Sequence, residues 1–68
     1  MKLTIYWTKE AMHKPSDGSP RMYDRIVKRF GFSDYISING ETSVDVKEID
    51  LPDLKVAEER GYIQIRNK

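Results

Sequence analysis

The chain has 68 residues, no cysteine, and 12 Lys and Arg against 11 Asp and Glu, a formal charge of +1. At this size folding hides only roughly 60% of the surface an unfolded chain exposes, so a single domain over residues 1–68 with one small core is expected. Without cysteine there are no disulfides, thiolate zinc sites or cysteine nucleophiles, a composition that fits a reducing, cytoplasmic setting, and the near-neutral charge provides no general attraction to nucleic acid or to an anionic membrane.

Leu3, Ile5 and Trp7 alternate with Thr4, Tyr6 and Thr8, the period of a strand buried on one side. The apolar runs are too short for a membrane span, and with a strand at the start of the sequence neither a span nor a signal peptide is expected. Thr8 to Lys14 can form one helical turn capped by Thr8, and residues 13–19, dense in Pro, Ser, Asp and Gly, read as a loop. Ser19 stands where an N-cap belongs, with Pro20 at the first helical position. Met22, Tyr23, Ile26, Val27 and Phe30 then form one helical stripe, with Arg21, Asp24, Arg25, Lys28 and Arg29 opposite. Gly31 supplies the left-handed residue of a Schellman ending, and Phe32 its apolar contact.

Two further runs, Tyr35 to Ile38 and Ser43 to Lys47, flank Asn39-Gly40, a strong hairpin signal. A two-residue turn would mix apolar and polar side chains on one face. A three-residue loop, with Gly40 in the left-handed region as a bulge glycine, keeps Ile36 and Ile38 on the side of Val44 and Val46. Asp50-Leu51-Pro52-Asp53 opens a second helix capped by Asp50 or Leu51; with Asp50 as cap, Ile49 and Leu54 form a hydrophobic staple. Gly61 ends that helix, and Ile63 and Ile65 alternate with Tyr62, Gln64 and Arg66 in a last strand.

The resulting order, β-α-β-β-α-β, predicts an α+β fold: a small ferredoxin-like antiparallel sheet of strand order 4-1-3-2 with both helices on one face. Its expected core is Leu3, Ile5, Trp7, Met22, Ile26, Phe30, Ile36, Ile38, Val44, Val46, Leu54, Ile63 and Ile65. The alternative is a small α+β fold with a separate three-stranded unit over residues 35 to 66.

No assembled catalytic set emerges, so no enzyme is expected. His13 follows Glu10 at one half of a carboxylate–histidine metal spacing, but the second half is missing, and neither metal nor cofactor is expected. Ser16 to Arg21 lacks the glycine and lysine spacing of a phosphate loop. Asp45, Glu48, Asp50 and Asp53 lack the ligand spacing of a calcium loop. They belong to a stretch from Asp34 to Glu59 of net charge −6, a potential docking patch, whereas Lys9 to Arg29 carries +3. Lys28 to Tyr35 resembles the aromatic RNA-contact motif of RNA-recognition-motif domains. Arg29 and Ser33 break the pattern, however, and the stretch falls at a helix end rather than on a third strand, so no membership follows.

By parity, Tyr6, Tyr35, Tyr62, Gln64 and Arg66 face away from the core. An open face of tyrosines and arginine suits binding, because these residues combine contact area with hydrogen bonding. The expected function is therefore a small non-enzymatic adaptor or regulatory module that binds a protein partner, or itself, through this face and an exposed edge strand. The alternative is single-stranded nucleic acid, with the tyrosines stacking on bases and Arg66, Arg21, Arg25 and Arg29 on phosphates.

Overall fold

The computed structural model describes residues 1–66. Strand β1 (Lys2–Trp7) leads through a one-turn helix, α1 (Lys9–Met12), to α2 (Met22–Phe30). Strand β2 (Glu41–Asp45) is followed by a 3-10 turn at Glu48–Asp50, helix α3 (Leu51–Glu59) and strand β3 (Ile63–Ile65). The fold is thus α+β with a three-stranded antiparallel sheet of order β2-β1-β3. Both outer strands run opposite to β1, and hence parallel to each other, so that β2, α3 and β3 make a β-α-β unit with β1 inserted between its strands.

The period-two reading of β1 holds: Leu3, Ile5 and Trp7 are buried, and Thr4 and Tyr6 lie half-buried on the other face. Leu3 faces Val44, Ile5 faces Thr42 and Ile65, and Trp7 faces Ile63 in the paired strands. Ala11, Tyr23, Ile26 and Leu54 close over this face from the helices. A side chain as deeply buried as Ile5 or Leu54, each 0% exposed, contributes about 1.5–3 kcal/mol. The Trp7 and Tyr23 rings meet edge to face with centroids 4.7 Å apart. That geometry adds about 0.5–1.5 kcal/mol beyond the area buried.

The four-stranded ferredoxin-like order is not what forms, because Tyr35–Ile38 is not a strand. The hairpin starts as expected. Gly40 N–H donates to the Ser37 carbonyl and Ser37 N–H to the Glu41 carbonyl, enclosing a three-residue loop whose Gly40 has φ +77°. Pairing then stops after Ser37, because a core side chain takes the Tyr35 carbonyl that the next ladder rung would use. The buried Trp7 Nε1–H donates to Thr42 Oγ1 (2.8 Å), and the Thr42 hydroxyl donates to the Tyr35 carbonyl (2.7 Å). The Tyr23 hydroxyl donates to the Asp34 carbonyl (2.9 Å). Ile38, expected in the core, is fully exposed at the loop tip, and Met22, Phe30, Ile36 and Ile65 are only half-buried. The remaining strands keep the neighbours and antiparallel directions that the 4-1-3-2 order gives its strands 3, 1 and 4.

Helix ends differ in smaller ways. Asp17 Oδ1 accepts the Ser19 N–H (2.9 Å), so Ser19 is held in a turn and α2 starts at Met22. The Asp24 carboxylate accepts from the Arg21 backbone N–H and side chain, which holds it below the ordinary carboxylate pKa. Gly31 (φ +70°) and the Phe32 N–H to Val27 carbonyl bond complete the Schellman ending, where Phe32 stacks on Phe30. The 3-10 turn runs straight into α3, so Ile49 never folds back on Leu54 and is left 81% exposed. At the far edge, Glu58 on α3 accepts the outward Ile65 N–H (2.8 Å).

Replacing Thr42 by valine keeps volume but strands the Trp7 indole N–H and the Tyr35 carbonyl, and is expected to cost about 1–3 kcal/mol. Urea unfolding checks it, and a wild-type midpoint would remove the network from the list of structural determinants. Gly40→Val meets both a left-handed φ and a ring, since a Cβ there would lie 3.1 Å from Tyr6 Cε1. A loss of about 1 kcal/mol or more in the same assay is expected.

Candidate binding surface

Because the helices cover one face, the other is lined by the alternate residues of the strands: Lys2, Thr4 and Tyr6 from β1, Glu41, Ser43 and Asp45 from β2, and Gln64 from β3, with Arg66 just beyond. The structure brings Tyr6, Gln64 and Arg66 together here. The Arg66 guanidinium lies 4.2 Å from the Tyr6 ring centroid, and reaches Gln64 Oε1 (3.1 Å) on one side and Glu41 Oε2 (3.4 Å) on the other. Its backbone N–H donates to the Thr4 carbonyl (2.8 Å), which fixes the guanidinium over the ring. A cation–π contact at such an exposed site contributes about 0.5–1 kcal/mol.

Tyr35 stands at the margin rather than on the face. Its N–H donates to Ser33 Oγ and its carbonyl is held by Thr42, leaving the ring 68% exposed beside β2. Between this loop and the strand lies an open hollow of about 480 Å³, reaching Thr4 and Ser43 on the bare face. Tyr62 is in the helix layer. It precedes β3, so strand alternation does not govern it, and left-handed Gly61 (φ +85°) turns the chain there while the Thr8 hydroxyl reaches the Gly61 and Tyr62 carbonyls. Its ring lines a groove between α2 and α3 with Met22, Ile26 and Phe30. Arg29, at the rim of that groove, pairs with Asp53 (2.9 Å). Arg21 pairs with Asp24, so these helix arginines serve a different layer from Tyr6.

The edge of β2 was not visible from residue types alone. Trp7 N–H donates to the Gly40 carbonyl and Val46 N–H to the Met1 carbonyl, so alternate residues Gly40, Thr42, Val44 and Val46 turn their main chain toward β1. Glu41, Ser43 and Asp45 turn theirs outward. Ser37 occupies Glu41, donating its N–H to the carbonyl (2.8 Å) and accepting the Glu41 N–H on its hydroxyl (3.2 Å). Ser43 and Asp45 have no main-chain partner among the described residues. The outward N–H of Ile65 on the opposite edge is capped by Glu58. Among the described residues no group of three or more His, Cys, Asp or Glu is placed to hold a metal, and His13 lies exposed beside the 13–19 loop. No helix of the described residues is long and apolar enough to cross a membrane.

Burial raises the Tyr23 hydroxyl pKa, with Asp34 adding to the shift. Burial and the Asp34 charge both favour the protonated form in the fold, so this contribution is full below the unfolded tyrosine value of about 10 and is lost as pH rises through the higher folded value. Alkaline absorbance titration is expected to show a late-ionising tyrosine that disappears in Tyr23→Phe. A titration unchanged by that substitution would contradict the assignment.

Comparison with protein-family models, curated proteins and solved structures finds no match to this chain.

Proposed function

We propose that this chain is a non-enzymatic protein-binding module, an adaptor or regulatory piece, that engages a protein partner or a further copy of itself along the β2 side of the sheet. The reading is carried by one juxtaposition: exposed Tyr35 flanks Ser43 across the hollow and fully exposed Ile38 tips the loop that leads into β2, whose outward main-chain groups at Ser43 and Asp45 have no partner among the described residues. An uncovered strand edge is a template for another strand, and adjacent apolar side chains supply the area that main-chain bonds alone lack. A strand docked there takes the place that the 4-1-3-2 order assigns to its second strand. Tyr6, Gln64 and Arg66 then form a polar rim on the bare face, while Tyr62 contributes to the helix-layer groove.

Single-stranded nucleic acid is the weaker reading. The face of Tyr6 that a base would stack on carries Arg66, and Glu41 and Asp45 share the surface. The helix arginines Arg21 and Arg29 are paired in the other layer.

The test is the double change Tyr35→Ser with Ile38→Ser. Both side chains are exposed, so stability is expected to move by within about 0.5 kcal/mol apiece. Capture of the protein partner from native cells should be lost, with little sensitivity to nuclease or to salt. An unfolded variant, or one that retains its partner in full, defeats the reading. Nuclease-sensitive capture that falls steeply with ionic strength would favour nucleic acid instead.

A further inference from the structure

The free part of the β2 edge is short and closed at both ends. Ser37 occupies the main chain of Glu41, and the Lys47 carbonyl accepts the Asp50 N–H (2.9 Å). Between these stops lie the N–H and C=O groups of Ser43 and of Asp45, free of partners among the described residues.

We propose that the strand that docks here is β2 of a second copy, paired antiparallel about a two-fold axis at Val44. This rests on the reading of the edge as a protein-binding surface and names its occupant. Centred on Val44, the pairing sets Ser43 opposite Asp45 of the second copy and Asp45 opposite Ser43. Each such pair exchanges both N–H···O=C bonds, so every free group of the edge is satisfied in both copies. Neighbouring registers fail. Centring on Ser43 sets Asp45 against Glu41, whose groups Ser37 already holds, and centring on Asp45 sets Ser43 against Lys47, whose carbonyl is in use.

A second observation points to the same axis. Ile38 and Ile49 are 101% and 81% exposed, and lie at opposite ends of β2, six residues before and five residues after Val44. Antiparallel pairing about Val44 brings each to the end of the strand where the other copy carries its counterpart. The same register places Lys47 toward Glu41 of the second copy and the Ser43 hydroxyl beside an Asp45 carboxylate.

Sedimentation equilibrium of the wild-type chain from micromolar to millimolar is expected to show a monomer–dimer equilibrium. Ser43→Pro removes one outward N–H per copy without touching the β1 ladder, a position where an edge strand tolerates proline. It is expected to weaken the dimer about tenfold or more while circular dichroism stays unchanged. A mixed isotope-labelled wild-type sample supplies a readout independent of any variant: a Val44 Hα to Val44 Hα contact between copies, with amide exchange at Ser43 and Asp45 slowing as concentration rises. A chain monomeric into the millimolar range, a folded Ser43→Pro that dimerises like wild type, or amides whose exchange ignores concentration would each overturn the proposal. If the chain is monomeric but the Tyr35 and Ile38 double variant loses a different protein, the edge reading stands and only the second copy falls.

Discussion

One chain of hydrogen bonds decides the shape of this molecule: the Trp7 indole N–H to the Thr42 hydroxyl, and that hydroxyl to the Tyr35 carbonyl. Thr42 is 2% exposed, the single buried polar side chain among the described residues, and both its donor and acceptor capacity are used. Buried polar groups are costly when unmatched, so the geometry that satisfies all three partners at once is strongly preferred. That geometry draws the main chain at Tyr35 toward the core side of β2, out of the plane in which a fourth strand would pair. The loop tip, the hollow beside Tyr35 and the free groups of Ser43 and Asp45 follow from it.

Charge is arranged by layer. On the bare face Arg66 is surrounded by Tyr6, Gln64 and Glu41, and the guanidinium is thereby spread across β1 and both neighbours. In the helix layer Arg29 on α2 reaches Asp53 on α3, one tie between the basic and acidic halves of the chain. Exposed pairs of this kind contribute at most about 1 kcal/mol each. Their effect is on orientation: they fix which surfaces present unpaired charge and which present aromatic or apolar area.

Most of the sheet was legible from period-two alternation, which located β1 and β3 and the burial of Leu3, Ile5, Trp7 and Ile63. The bulged loop was legible too, since the parity of the apolar residues around Asn39-Gly40 favours a three-residue loop over a two-residue turn, and Gly40 has the left-handed φ of a bulge glycine. Alternation misled at Tyr35–Ile38 because it records which side chains a strand would bury, and is blind to a threonine that captures a carbonyl. Thr42, flanking the hairpin at a core-parity position, was the available signal. Tyr62 was misplaced because parity was carried one residue beyond the strand, across the turn at Gly61. The staple failed because a 3-10 turn, which leaves little trace in residue types, takes Ile49 out of reach of Leu54. That Tyr6, Gln64 and Arg66 share the bare face was legible from strand alternation, whereas the outward main-chain groups of β2 leave no mark in residue types.

The Glu58 contact has a consequence for how large an assembly can become. A sheet with two bare edges adds strands without limit, which is how edge exposure ends in fibres. Here the carboxylate on α3 accepts the outward Ile65 N–H, and its charge stands where an incoming strand would run. Strand addition is therefore less favourable at β3, where Glu58 occupies the Ile65 N–H, than at β2. If two copies join along β2, both outer margins of the enlarged sheet are β3 margins, each carrying a Glu58 carboxylate in the path of a further strand.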